Sequence, residues 1–419
     1  MAGKKRHPGG DTLAARAAAW IEQHVSDMVA LEGELTRRNA VGPANGGPGE
    51  AEKANFLEAW LLDHGFGPVT RLVADDNGVQ RPNLLLVVPG IDRSRRIWFM
   101  SHLDVVPPGD LSLWKSDPFQ VSVEGDKLVG RGVEDNQQGI VASVFALRAL
   151  LELEIQPRCD IGLLFVADEE TGSTFGVRWL LENHPEVFLP GDEFVVPDAG
   201  NEDGSQIEVA EKTILWLRFR TVGKQVHAST PQLGKNALVA GAHLVTKLRS
   251  LYERFEDRDP LFMPPMSTFE ATRHDANVLN INTIPGEDIF YMDCRILPGI
   301  PVEVVLAQVK GICEEVERSH RVVCGVDVVQ REDAAPPTPV GARIVADLAR
   351  AVRSVYGVDA RARGIGGGTV AGHLRRKGFH AVVWARQDET AHQPNEYVWI
   401  PNLVGDAKVF AHLMAPEPA

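Results

Sequence analysis

Short runs of apolar residues constrain the fold of this chain more than any other feature of its sequence. They are nearly continuous, and predicted helices fall between several of them. Strands that are covered on both faces have this pattern, whereas a strand with one solvent-exposed face alternates apolar and polar residues. The sequence therefore predicts an α/β sandwich built on a mostly parallel sheet. The predicted strands of this kind are residues 83–88, 97–100, 161–167, 193–197 and 381–385. The predicted helices are residues 11–38, 50–64, 136–154, 176–184 and 341–356.

The middle of the chain has a different pattern. Strand-like segments and two strongly periodic helices follow each other in the order βαββαβ, which is the order of a ferredoxin-like sandwich. We therefore predict that residues 212–331 form a domain inserted into a larger domain made of residues 1–211 and 332–419. A length of 419 residues fits two domains better than one core. The predicted strands of the inserted domain are residues 213–223, 267–274, 288–297 and 322–330, and its predicted helices are residues 235–255 and 301–320.

Composition and charge exclude several classes of protein. The formal net charge is −14 and no block of Lys and Arg offsets it, so we predict no nucleic-acid partner. No apolar run approaches the roughly 20 residues that span a bilayer, and the start of the sequence has no signal-peptide pattern. The four cysteines form no Cys-x-x-Cys pair and lie mostly in apolar segments, as reduced cysteines do. The sequence therefore predicts a cytoplasmic protein without a membrane partner and without thiolate metal ligands.

Histidines and carboxylates stand directly after three of the apolar runs, shortly after a fourth, and at the start of a predicted helix. In parallel sheets, ligands gather at the carboxyl ends of the strands. We therefore expect these side chains to meet at one edge of the sheet and to form an active site. The residues concerned are His102, Asp104, Asp135, Glu169, Glu170, Asp198 and His392.

Each of these clusters also has an ordinary structural explanation when it is considered alone. His102 and its neighbouring aspartate could form a surface turn, and Asp135 could cap a helix. Adjacent glutamates are usually solvated, and Asp198 could be a turn residue. These explanations would have to place every cluster at a strand end independently. Two histidines and three carboxylates can instead hold two divalent ions if one carboxylate bridges them, and these ligand types suit zinc, cobalt or manganese.

Eight motifs then identify a family resemblance. The chain resembles the co-catalytic zinc amidohydrolase and peptidase family that includes acetylornithine deacetylase, succinyl-diaminopimelate desuccinylase, aminoacylase and carboxypeptidase G. The resemblance runs from about residue 97 to the end of the sequence and includes the inserted domain. The motifs are SHLDVVPPGD, GRGVEDNQQG, DEETGS, PDAG, GKQVHAS, NTIPGEDIFYMDCR, GGGT and TAHQPNEY.

The resemblance implies that the larger domain is a metal-binding catalytic domain and assigns its ligands. His102 and Glu170 match ligands of different metal ions. Asp135 matches the carboxylate that bridges the two ions. Asp198 and His392 match the remaining terminal ligands. The resemblance thus implies two divalent ions for each subunit.

Three further expectations follow from the resemblance. Asp104 matches the carboxylate that orients the ligand His102, a pairing that is common in zinc sites. Glu169 matches the general base that accepts a proton from the attacking water and returns it to the leaving amine. Members of the family have a cis peptide bond after the bridging aspartate, so we expect one between Asp135 and Asn136.

The inserted domain resembles the family's dimerisation and lid domain. His227 matches a histidine that reaches into the partner subunit's site and stabilises an oxyanion, although alone it could be a surface loop residue. Arg295 matches a residue that holds the substrate's carboxylate, or it could be a solvated strand residue. Residues 364–369 could form a turn or an anion-binding loop, and at residues 370–372 this chain has Val-Ala-Gly where many relatives have Ser-Asp or Asp. The predicted substrate-binding residues are Asn282, Arg295, Gly367, Gly368 and Thr369.

The resemblance implies a hydrolase that cleaves the amide bond of a small N-acyl amino acid with a free carboxylate and that forms a homodimer. A dipeptidase or carboxypeptidase acting on a short peptide is the alternative within the family. A non-catalytic protein that binds metal or amino acids is a third class. Such a protein could lose the general base, and because Glu169 is present the sequence favours an enzyme.

Overall fold

The computed structural model describes residues 12–417, and the chain divides into two compact units. The first unit contains residues up to 209 together with residues 338–362 and those from 373 onward. The second contains residues 210–337 and 363–372. The ends of the expected catalytic domain, and the first residue of the helix predicted at 11–38, lie outside the described residues. Within the described part of the chain, no helix has both the length and the apolar character needed to cross a membrane.

Groups of helices and groups of strands follow each other along the chain. In chain order the strands are β1 (Thr70–Asp76), β2 (Val79–Val88), β3 (Asp92–His102), β4 (Ser122–Glu124), β5 (Lys127–Val129), β6 (Cys159–Val166), β7 (Glu193–Asn201), β8 (Gln206–Glu211), β9 (Thr213–Val222), β10 (Val226–His227), β11 (Thr268–His274), β12 (Thr283–Ile284), β13 (Glu287–Ile296), β14 (Val323–Glu332), β15 (Arg361–Ile365), β16 (His380–Arg386) and β17 (Tyr397–Trp399). The α-helices are α1 (Leu13–Gln23), α2 (Val25–Arg37), α3 (Ala51–Asp63), α4 (Gln138–Glu152), α5 (Val177–Asn183), α6 (Ala237–Leu248), α7 (Leu251–Arg254), α8 (Val302–His320), α9 (Arg343–Tyr356), α10 (Ala371–Arg376) and α11 (Ile400–Met414).

An eight-stranded sheet with the order β1-β2-β6-β3-β7-β16-β8-β15 organises the first unit. Its central strands are parallel, because β3 pairs in parallel with β6 and β7, and β16 pairs in parallel with β7. Strands β1 and β2 form an antiparallel edge. Every residue of β6 is buried, as expected for a strand covered on both faces. The predicted α/β sandwich with a mostly parallel sheet is confirmed.

Two predicted helices are interrupted where side chains compete for the backbone. The helix predicted at 136–154 begins as α4 only at Gln138, because Asp135 and Asn136 have non-helical backbone angles. The helix predicted at 11–38 is divided at His24, which separates α1 from α2. The ring of His24 stacks on Trp20, and its Nδ1 lies 2.7 Å from the carbonyl oxygen of Trp20. That local contact ends the first helix one turn after the tryptophan.

The second unit contains a four-stranded antiparallel sheet with the order β11-β13-β9-β14. Helices α6 and α8 supply apolar side chains to the same core as the sheet. In β13 every second residue is buried, and in α8 the buried residues recur at helical spacing, so each element presents one apolar face. The βαββαβ order and this strand arrangement confirm the ferredoxin-like prediction.

Residues 363–372, which we expected in the first domain, belong to the second unit. The N–H of Lys212 donates to the carbonyl of Ile365 at 3.1 Å, and the N–H of Gly364 donates to the carbonyl of Leu261 at 2.8 Å. These backbone hydrogen bonds extend the second unit with a segment far from it in the sequence. The chain therefore enters this unit twice.

Candidate metal centre

The predicted side chains of the first unit meet at the carboxyl ends of its parallel strands. His102 is the last residue of β3 and lies beside Val166, the last residue of β6. Glu169 and Glu170 begin the turn that follows β6, and Asp198 lies within β7. Parallel strands bring their carboxyl ends to one edge, which explains why residues far apart in sequence converge there.

Three of these residues form a buried group, which we call the inner group: His102, Asp135 and Asp198. The His102 Nε2 atom lies 2.8 Å from Oδ1 of Asp135 and 3.2 Å from Oδ1 of Asp198. The His102 side chain is only 2% exposed. Burial alone would lower the pKa of His102, but Asp198, Asp104 and Asp135 together raise that pKa well above its usual value.

A second group, the outer group, contains Asp135, Glu170 and His392. The His392 Nε2 atom lies 3.1 Å from Oδ2 of Asp135 and 3.0 Å from Oε2 of Glu170. Hydrogen bonds with these two carboxylates raise the pKa of His392 to about 10. The His392 side chain is 57% exposed, so the outer group is far more open to solvent than the inner one.

Asp135 belongs to both groups and uses a different carboxylate oxygen in each. In each group the ligand atoms lie within 4.8 Å of one another, which is close enough to surround one ion. Oε1 of Glu170 is buried and has no hydrogen-bond partner in the described part of the chain. A cluster of imidazole and carboxylate ligands with one shared carboxylate fits two divalent ions. The peptide bond between Asp135 and Asn136 is cis, which confirms that expectation.

Glu169 lies beside the two groups and belongs to neither. Burial raises the pKa of Glu169 well above its usual value, and the charges of Asp198, Glu170 and Asp135 raise it further, against the lowering effect of His102. Burial is the largest of these effects, because a carboxylate removed from water is disfavoured in its charged form. The adjacent glutamates therefore differ, because Glu170 contacts His392 and Glu169 is left free of both candidate ligand groups.

Asp104 connects the inner histidine to the paired glutamates. The His102 Nδ1 atom lies 3.0 Å from the Asp104 carbonyl oxygen and 3.5 Å from its carboxylate. The two carboxylate oxygens of Asp104 accept hydrogen bonds from the N–H groups of Glu169 and Glu170, each at 3.0 Å. Asp104 therefore positions the glutamate turn as well as the histidine.

Three residues of the site were not predicted from the sequence. The Asn136 side chain donates to the Pro197 carbonyl at 2.6 Å and to the Asp198 carboxylate at 2.9 Å. Glu134 and Glu396 are both buried and accept backbone hydrogen bonds from loops that carry ligands. Their partners lie in distant loops, so neither periodicity nor strand-end position identifies them. The charged residues within the GRGVEDNQQG and TAHQPNEY motifs were the available signal.

In the second unit His227 lies in a strand that pairs with β12, and Asn282 directly precedes β12. His227 ends β10, which pairs with β12, and the Asn282 carbonyl accepts from the N–H of Ala228 at 2.8 Å. His227 is exposed, and its Nδ1 atom lies 2.7 Å from the Ser229 hydroxyl. That contact leaves Nε2 of His227 available as a donor when the hydroxyl donates to Nδ1.

Arg295 and the glycine loop also meet within the second unit. The Arg295 guanidinium donates to the Asp293 carboxylate at 2.8 and 3.0 Å and to the Gly366 carbonyl at 2.9 Å. The N–H and hydroxyl of Thr369 donate to the Glu211 carboxylate at 3.0 and 2.5 Å. A carboxylate of the chain itself therefore occupies these donors. Substrate binding by Gly367, Gly368 and Thr369 stays a prediction.

Comparisons with known proteins find a matching family model, similar chains and similar structures. The family model described as Peptidase family M20/M25/M40 matches residues 98–415. An uncharacterized metallohydrolase of Methanocaldococcus jannaschii is 37% identical over 408 residues, covering 93% of this chain and 99% of the relative. Succinyl-diaminopimelate desuccinylase 2 of Ruegeria sp. is 28% identical over 396 residues, covering 94% and 95%. The crystal structure of human carnosine dipeptidase 1 is similar with a TM-score of 0.69 and 18% identity, covering 96% and 98%.

Proposed function

Because the chain belongs to peptidase family M20/M25/M40 and is a metallohydrolase of that family, we propose that it cleaves the amide bond of a small N-acyl amino acid. The sharing of Asp135 between the inner and outer groups, with Glu169 beside both, is the observation that carries this proposal. This arrangement offers ligands for two ions and, in Glu169, a carboxylate outside both ligand groups that can transfer a proton.

The residues present fit two divalent ions. His102 and Asp198 would hold one ion, Glu170 and His392 would hold the other, and Asp135 would contribute to both. We propose zinc, with cobalt or manganese able to replace it, because imidazole and carboxylate ligands suit these metals. Bound ions of this kind polarise a carbonyl and lower the pKa of water toward neutrality.

The chain's own residues then have separate tasks. Glu169 accepts a proton from the attacking water and returns it to the leaving amine, for which its raised pKa is suited. Asp104 holds the turn that carries Glu169, because its carboxylate accepts a hydrogen bond from the N–H of Glu169 at 3.0 Å. His227 donates a hydrogen bond to the carbonyl oxygen, which becomes an oxyanion when water adds to the carbonyl carbon. Arg295, with Asn282, binds the free carboxylate of the substrate.

The relatives favour deacylation over peptide cleavage. Proteins named succinyl-diaminopimelate desuccinylase are 28% and 30% identical to this chain, over 94% and 73% of its length. The alternative is a dipeptidase or carboxypeptidase reaction, in which the same groups would cleave an amide bond beside a free carboxylate. A protein that only binds metal or amino acids would not need Glu169.

We further propose a homodimer formed through the second unit and a cytoplasmic location. Two-fold symmetry would let each subunit supply His227 to its partner. The cytoplasmic location is supported by the four cysteines, none of which forms a disulfide and three of which are buried.

A panel of substrates tests the proposed activity. The protein loaded with Zn²⁺ is incubated with N-acetyl and N-succinyl amino acids and with dipeptides, and the released amine is quantified. We expect cleavage of N-acyl amino acids and loss of activity in the Glu169→Gln variant. Faster cleavage of dipeptides would support the alternative, and no cleavage of either class would reject the proposal.

A further inference from the structure

Two ligand-bearing loops face each other in the first unit. Loop A, residues 130–137, lies between β5 and α4 and carries Asp135. Loop B, residues 387–396, lies between β16 and β17 and carries His392. The outer group needs both loops, because it combines Asp135 with His392. The inner group contains Asp135 of loop A and no residue of loop B.

Glu134 of loop A holds loop B. Its Oε1 atom accepts from the N–H of Asp388 at 3.0 Å. Its Oε2 atom accepts from both the N–H and the hydroxyl of Thr390, the latter at 2.8 Å. Glu134 is buried and directly precedes the shared ligand Asp135. The start of loop B is thus attached to the residue next to the bridging carboxylate.

Glu396 of loop B holds loop A in return. Its Oε1 atom accepts from the N–H groups of Glu134 and Asp135 at 2.9 and 3.1 Å. Its Oε2 atom accepts from the N–H of Gly132 at 3.0 Å and from the Arg131 guanidinium at 2.6 Å. Glu396 is fully buried, so these bonds are shielded from competition by water.

We propose that Glu134 and Glu396 are positioning residues. Their hydrogen bonds hold loops A and B together and set the metal affinity of the outer group. Each loop supplies one carboxylate to the backbone of the other, so the spacing of Asp135 and His392 depends on both. Groups that orient metal ligands through hydrogen bonds commonly change the affinity for the metal. The inference rests on the proposed metal site and adds two residues to it.

The two carboxylates should have different effects. In the described part of the chain, the donors to the Glu134 carboxylate lie in loop B, so its loss should weaken the outer group and spare the inner one. Glu396 contacts the N–H of Asp135, which both groups share, so its loss should weaken both. In either variant with Gln, one oxygen becomes an NH₂ group that faces at least one N–H donor, and a hydrogen bond is lost.

Titration of the metal-free full chain with Co²⁺, followed by calorimetry and visible absorption, tests this proposal without any substrate. The His392→Ala variant identifies the spectrum of the inner ion, because it removes the outer group alone. For Glu134→Gln we expect the outer affinity to fall by roughly 10- to 100-fold while the inner affinity stays within about threefold. For Glu396→Gln we expect both affinities to fall by roughly 10- to 100-fold.

Glu193→Gln is the matched control. Glu193 is a buried carboxylate of the same unit that also accepts from one arginine and one backbone N–H, those of Arg95 and Ile344. It lies at the start of β7, so its variant should bind both ions as wild type does. Equal weakening of both ions in all three Gln variants would overturn the proposal, as would unchanged outer affinity in Glu134→Gln.

A milder pair of variants applies if Glu134→Gln does not fold. Thr390→Ser retains the hydroxyl that donates to Glu134, and Thr390→Val removes it. We expect the Val variant to bind the outer ion several-fold more weakly than the Ser variant. Equal affinities would overturn the proposal. If wild type itself binds no Co²⁺, the proposed function fails instead, so the two failures are distinguishable.

Discussion

One carboxylate oxygen of Asp104 accepts the N–H of Glu169 at a distance of 3.0 Å. The other oxygen accepts the N–H of Glu170 at the same distance. Asp104 therefore fixes the turn on which the proposed base and a proposed ligand are adjacent. Its carbonyl and carboxylate also lie close to Nδ1 of His102, so a single buried side chain relates three members of the site.

Asp104→Asn should lower turnover by roughly 10- to 100-fold. The amide retains one oxygen, and its NH₂ group must face one of the two N–H donors, so the glutamate turn shifts. Asp110→Asn is the control for the loss of a negative charge, because Asp110 is exposed and its carboxylate accepts from the N–H of Ser112. Turnover and metal content of both variants are measured. An Asp104→Asn enzyme as active as its control would contradict this role.

The paired glutamates should separate catalysis from metal binding. Glu169→Gln should retain both ions and lose roughly 10²- to 10⁴-fold in turnover, since it removes the proposed general base. Glu170→Gln should lower the metal content, because Glu170 is the proposed ligand that contacts His392. Metal analysis of the two purified proteins distinguishes them. Equal metal loss in both variants would show that the base is assigned incorrectly.

The sequence allows a prediction of which side chains lie at the carboxyl ends of the strands. Apolar runs precede His102, Asp198 and the paired glutamates, and parallel pairing brings the ends of these runs together. The hydrogen bonds of Glu396 could not be predicted, because its carboxylate accepts from N–H groups some 260 positions away in the chain. Contacts of this kind depend on the packed positions of two loops, and no local pattern encodes those positions.

The start of α4 shows the same limit for the fold. Apolar periodicity predicted a helix from residue 136, and the helix begins at Gln138. The side chain of Asn136 bonds to Pro197 and Asp198 on a neighbouring strand instead of continuing the helix. Apolar periodicity indicates which face of a helix is buried, whereas the position of its first turn depends here on the contacts of Asn136 with β7.

The stability of the protein should fall as pH rises from about 4 to 7 through the titration of Asp406. Burial raises the pKa of Asp406 to about 7 from an ordinary value of 3.8. The folded state therefore binds more protons than the unfolded state between these values, and the free energy of unfolding decreases as pH increases across that window. Above about pH 7 this contribution no longer changes.

The Asp406→Asn variant should lack this contribution. Its oxygen can accept from Gln138 and from the N–H of Arg386, and its NH₂ group can donate to Tyr356, so the three contacts are preserved without a charge. Urea unfolding of both proteins at several pH values gives the comparison. An identical pH slope in the variant and in wild type would assign the dependence to another group.

The proposed action of His227 across a dimer predicts complementation between inactive variants. His227→Ala and Glu169→Ala should each be nearly inactive, since an oxyanion donor contributes roughly 3–4 kcal/mol. In a mixed dimer, one site would combine Glu169 of one subunit with His227 of the other, and the second site would lack both. Random assembly makes half of the dimers mixed, so co-expression should restore about a quarter of wild-type turnover.

The measurement requires mixed dimers that are confirmed by two different affinity tags. Turnover of a cleaved N-acyl amino acid is then compared with that of each parent variant. Mixed dimers that stay as inactive as both parents would mean that His227 does not act on the partner's site.

The buried helix α4 packs against α11, and the two helices are made at very different times during synthesis. Helix α4 is complete after residue 152, but α11 begins only at Ile400. At roughly 5–20 residues per second, the ribosome needs between about ten seconds and a minute to make the chain between them. During that interval an apolar helix has no partner on one side, and the nascent chain needs protection from aggregation. This order of elements means that the core of the first unit cannot be completed before α11 has been made.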